Sequence, residues 1–127
     1  MITPGRGIRL DNLGQVLVTE TGECRVFTTG MDVPSDDVAR PVPQGDGGAP
    51  MNLRGRFRLY VRNGASDGVF PPNPPIFVGG AGMTKDDGYP LLPQESVALN
   101  VTERVQVYVL VGGGGEQSAN ARTMEVA

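Results

Sequence analysis

The chain of 127 residues has no histidine, no tryptophan and a single cysteine, Cys24. Each gap excludes something. Without histidine the usual general base near neutral pH is missing, and a transition-metal site loses its commonest ligand. One cysteine closes no intrachain disulfide, which removes the disulfide-rich secreted class. As a nucleophile it would lack an activating base, so a buried or idle thiol is the expectation. No apolar run approaches the roughly 20 residues of a membrane helix. The opening MITPGRGIRLDN has no apolar stretch of the secretory kind, and a soluble protein made in the cytosol is expected. A formal net charge of −3 marks no nucleic-acid or membrane binder.

Helical periodicity is also missing. The one short exception is SDDVAR, residues 35–40, where Ser35 could cap a single turn. Glycine (19) and proline (11) are abundant, but they cluster between apolar runs and act as punctuation.

What remains is strand. GQVLVTE (residues 14–20) and CRVFTTG (24–30) are β-rich and joined by Thr21-Gly22-Glu23, a hairpin signature. RGRFRLYVRNG (54–64) alternates, with Phe57, Leu59 and Val61 on one face and Arg56, Arg58, Tyr60 and Arg62 on the other. PIFVGG (75–80) is a strand entered from the proline pile FPPNPP, where prolines remove no ladder bond. ESVALNV (95–101) aligns Val97, Leu99 and Val101. RVQVYVLVGG (104–113) aligns Val105, Val107, Val109 and Val111, with Tyr108 and Leu110 on its other side. ARTMEVA (121–127) closes the chain as a last strand.

This rhythm predicts an all-β protein, a single small β-sandwich or β-barrel with extended Pro/Gly-rich loops and arms. Its best-defined core spans residues 54–127. Phe57, Leu59, Val61, Val97, Leu99, Val105, Val107 and Val109 are the expected core. Residues 1–13 read as an N-terminal arm. Residues 30–52, with four prolines and GDGG, read as a long loop or arm, and residues 112–120 read the same way.

Catalytic and metal constellations are thin. Asp36-Asp37 and Asp86-Asp87 are adjacent pairs in turn contexts, where aspartates usually bond their own backbone. Neither TKDDG (84–88) nor QGDGG (44–48) has the alternating oxygens of a strong calcium loop. The glycine loops contain no GxxxxGK[ST]. No enzyme, cofactor or metal is expected. The distinctive charge feature is the row Arg54, Arg56, Arg58 and Arg62. It reads either as a solvated face or as a docking face for an acidic partner surface, since arginine pairs bidentately with carboxylates. Tyr108 and Leu110, on the second face of an apolar strand, are expected to meet a neighbouring subunit.

One stretch resembles a known pattern. VRNG, PIFVGGAGMTKDDGYPLLPQESVALNV, VQVYVLV and MEV together are similar to small virion proteins of tailed bacteriophages, in which a double turn follows a short glycine-ended strand. Thr84, Gly88, Pro90, Leu91, Pro93 and Glu95 occupy the turn positions, and the likeness covers residues 58–126. The chain departs from the shortest such proteins in its proline-rich preface and its GGGG insertion. The resemblance implies a capsid decoration (cement) protein on the outer surface of the phage head, a homotrimer bound to the major capsid protein, with no nucleic acid or membrane as partner. A tail, head-to-tail or fibre-base component is the alternative within that class. From another class, a carbohydrate-binding β-sandwich would use exposed aromatics among Phe27, Tyr60, Phe70, Phe77, Tyr89 and Tyr108.

Overall fold

A computed structural model describes residues 25–45, 49–64, 74–115 and 117–127 in full, and the short strands β1 (Arg9–Leu10) and β2 (Val16–Leu17) by their backbone. Eight further strands follow: β3 (Val26–Val33), β4 (Arg40–Val42), β5 (Arg58–Gly64), β6 (Ile76–Gly79), β7 (Tyr89–Leu91), β8 (Ser96–Leu99), β9 (Val107–Leu110) and β10 (Ala119–Val126). No helix occurs among the described residues.

These eight strands form two antiparallel sheets of four, ordered β3-β10-β5-β8 and β4-β9-β6-β7. The arrangement is that of a small β-sandwich, as the strand rhythm predicts. Paired residues share a face, so the register reads out each sheet's inner side. In the first sheet Leu59 lies between Leu99 and Glu125, and Val61 between Val97 and Thr123. In the second, Val109 lies between Arg40 and Val78, and Val42 opposes Val107. The core is these two inner faces together: Leu59, Val61, Val33, Val42, Ile76 and Val109 are all fully buried, with Val97 and Leu99 half-buried against them. Pro41 and Pro90 sit on the edge strands β4 and β7, where the missing N–H removes no interior ladder bond.

Alternation fails at two strand entrances. Phe57 and Val105, expected in the core, are half-buried and exposed respectively. β5 starts at Arg58 and β9 at Val107. The residues before them belong to turns, and Gly55 carries a φ of 79°, a left-handed conformation that suits glycine. The strand period therefore has no hold on Arg56, which swings inward.

Residues 30–52 are not an arm laid on something else. Met31 and Val33 finish β3 on its inner face, and Val42 and Pro43 are buried in and beside β4. Asn52 donates from Nδ2 to the Glu103 carbonyl at 2.8 Å. SDDVAR forms no helical turn. Ser35 bridges to Val111, and the Asp36 carboxylate receives both Arg40 guanidinium nitrogens, at 2.8 and 2.6 Å. Part of residues 112–120 is likewise tied down: the Ser35 hydroxyl donates to the Gly112 carbonyl and accepts from the Gly115 N–H, and Ala119 and Asn120 already belong to β10. The hairpin expected from residues 14–30 is not the pairing adopted, because β2 pairs with β1 and β3 pairs with β10. Its proposed turn, with Cys24, lies outside the described residues, as do Phe70 and most of residues 1–13.

The Asp36–Arg40 contact has a pH signature. The Arg40 guanidinium holds the Asp36 carboxyl down at about 2. The contact is therefore complete above the ordinary carboxylate range and is lost as pH falls through about 2. A carboxyl-carbon NMR titration should place the Asp36 midpoint near 2. In an Arg40→Gln variant it should return to about 3.9, the ordinary aspartate value.

Candidate protein interface

The four-arginine row divides three ways. Arg54 is exposed in the turn before β5, and its carbonyl accepts from the Arg25 guanidinium. Arg56 leaves the surface entirely, with 1% exposure. Its Nη1 donates to Glu125 Oε2 at 3.0 Å and to Asn52 Oδ1 at 3.1 Å. Its Nη2 reaches the Thr102 and Val105 carbonyls at 2.7 and 2.6 Å. Glu125 is fully buried on the inner face of β10 and also accepts the Leu53 N–H at 2.9 Å. Arg56 is thus a peg closing one end of the sandwich, and it is unavailable to a partner.

Arg58 and Arg62, with Tyr60 between them, do lie on the outer face of β5, where alternation places them. Arg58 donates from Nε to Asn100 Oδ1 at 3.0 Å and from Nη1 to the Tyr60 hydroxyl at 3.3 Å. Arg62 is exposed. Directly opposite it in the register stands Arg122 of β10, which was not part of the predicted row. The alternation of ANARTMEV points Arg122 outward, but only the pairing of β10 with β5 brings the two arginines together. Around them the outer face forms an open groove lined by Thr28, Tyr60, Ser96 and Asn120 as well.

Tyr108 and Leu110 lie on the outer face of the second sheet, beside Gly79 and Phe77. Leu110 is 1% exposed, so the neighbour it was expected to need is already present in the same chain. The loop after β6 folds back over this face. Met83 packs so closely on Gly79 and Gly88 that a Cβ on either would fall 2.7 and 3.2 Å from its sulfur. Tyr108 is half-buried. The second apolar face of β9, which pointed to a neighbouring subunit, is met at Leu110 by burial within the chain.

The aspartate pairs serve turns and strand entrances. Asp87 Oδ1 accepts the Thr84 N–H at 2.7 Å, and Asp36 holds Arg40. No group of three His, Cys, Asp or Glu side chains comes together among the described residues. The aromatics are dispersed. Tyr60 is on the first sheet, while Phe77, Tyr89 and Tyr108 are on the second, and Phe27 sits on the edge strand β3.

Two of the turn residues that carry the phage resemblance, Leu91 and Glu95, meet Asn63 of VRNG at one joint. Asn63 is fully buried, and its Nδ2 donates to the Pro74 and Leu91 carbonyls at 2.9 and 3.0 Å. Its backbone exchanges bonds with the double turn: Gln94 N–H to Asn63 carbonyl at 2.7 Å, and Asn63 N–H to Glu95 carbonyl at 3.0 Å. Glu95 Oε1 accepts the Leu92 N–H at 2.7 Å. β5 of one sheet is thereby fastened to β7 of the other. No protein-family model and no curated protein matches the chain.

Proposed function

We propose that this chain is a virion structural protein, a decoration protein that binds the outer surface of an assembled phage head and stabilises it. The observation that supports this best is the convergence just described. Asn63 of VRNG and Leu91, Gln94 and Glu95 of the double turn, all within the stretch that resembles phage virion proteins, form one connected joint between the two sheets. In this chain those residues serve as scaffold, which is what a structural role asks of them. What the scaffold presents is a rigid sheet face carrying exposed arginines, which suits attachment to another protein. A protein that binds only the assembled shell stabilises the shell by mass action, and weak contacts repeated over a lattice add through avidity.

The test is co-sedimentation of the purified protein with expanded shells made from the major capsid protein encoded in the same genome. Saturable binding and a raised melting temperature of the shells are expected. No binding to shells together with binding to purified tails would overturn the head assignment in favour of a tail component. Binding to neither would overturn the virion reading.

A further inference from the structure

Arg62 and Arg122 occupy one cross-strand pair at the middle of an open sheet face. Like charges directly opposite each other destabilise a sheet, so the fold gains nothing from this placement. The side chains show how the repulsion is eased. Arg122 lies flat over Gly64, where a Cβ would come within 3.0 Å of its Nε, and donates to Asn120 Oδ1 at 3.4 Å. Arg62 has no hydrogen-bond or ion-pair partner among the described residues. The ion pairs of the described residues, Arg40–Asp36 and Arg56–Glu125, lie elsewhere. The surrounding groove offers neutral hydrogen-bonding groups from Thr28, Ser96 and Asn120.

We propose that this face holds an extended acidic segment of a partner protein, whose carboxylates pair with Arg62 and Arg122 while its backbone lies along the groove. This deepens the preceding reading, from which the partner's being a protein is taken. Charge complementarity identifies the occupant: guanidinium forks match carboxylates bidentately, and the neutral groups suit peptide amides. A nucleic-acid strand fits less well. Among the described residues the only aromatic on this face is Tyr60, whose hydroxyl is engaged by Arg58. Asp32 closes one edge with a negative charge, next to Asn120, and the whole chain carries −3. Strand binding without base readout relies on stacking platforms along a continuous basic track.

The experiment is fluorescence anisotropy of the full chain with labelled octaglutamate and, separately, with a labelled thymidine oligonucleotide, at low and high salt. Octaglutamate should bind, more weakly as salt rises. Arg62→Glu should weaken it by roughly ten-fold or more. Arg54→Glu makes the same charge change outside the groove and should alter binding by less than about two-fold. Arg62→Glu should also melt at or above the wild-type temperature, since it turns a like-charge pair into an opposite-charge one; lost binding then cannot be lost folding. Absent octaglutamate binding, equal loss in Arg54→Glu, or tighter binding of the oligonucleotide would each overturn the proposal. On phage heads, unchanged occupancy by Arg62→Glu would overturn this docking face and leave the head assignment intact. Octaglutamate binding without head binding would do the reverse.

Discussion

Arg56→Ala is expected to cost about 3–5 kcal/mol of folding stability, the usual penalty for removing one partner of a buried ion pair. The side chain is enclosed, and so is Glu125. Truncation leaves the Glu125 carboxylate with only the Leu53 N–H and takes the guanidinium donor from the Val101, Thr102 and Val105 carbonyls. Glu125 Oε1 has no hydrogen-bond partner among the described residues. For a domain whose total stability is about 5–15 kcal/mol, such a loss is readily seen as a lower urea midpoint. A double variant, Arg56→Met with Glu125→Leu, should recover most of it, because a well-packed apolar pair removes the desolvation cost along with the attraction. A loss below about 1 kcal/mol in Arg56→Ala would show that the peg carries no structural weight.

Leu59→Ala is expected to cost about 2–5 kcal/mol. Leu59 is fully buried at the centre of the first sheet, paired with Leu99 on one side and Glu125 on the other. Its neighbours Val61, Val97 and Leu99 are held by ladders that cannot collapse into the space a shortened side chain leaves. The outward neighbour offers the control: Tyr60→Ala, on the opposite face of the same strand, should cost less, since Tyr60 is only half-buried. Equal losses at the two positions would contradict the face assignment. Urea unfolding of both variants measures the difference.

Much of this fold was legible because strand periodicity is local. The choice of Leu59, Val61, Val107 and Val109 as core needs only that neighbouring side chains point to opposite faces, and each of them is buried. The period loses its grip where a strand has not yet begun, which is why Phe57 and Val105 lie further out than alternation puts them. Prolines hid β7, since YPL looks like a turn until it is seen to be an edge strand. Residues 30–52 looked like an arm because β4 is only three residues long and holds Pro41, and only the end of β3 falls within them. Their partners, β10 and β9, lie far along the chain.

The candidate interface was legible only in part. Arg58 and Arg62 point outward by simple alternation. That Arg122 stands opposite Arg62 is a fact of register, set by which strands pair and where, and no local pattern encodes it.

By itself, the sequence determined that this protein is built of strands and turns, which residues of its long alternating runs face inward, and that four of its arginines cluster between residues 54 and 62. These follow from the two-residue period of extended chain and from the backbone limits of glycine and proline. Tertiary structure alone decided that Arg56 is a buried peg, that Leu110 is buried within its own chain, and that two arginines from distant strands share one groove. Each of these depends on contacts between segments far apart in the chain, where burial and register are settled by packing and not by the identity of neighbouring residues.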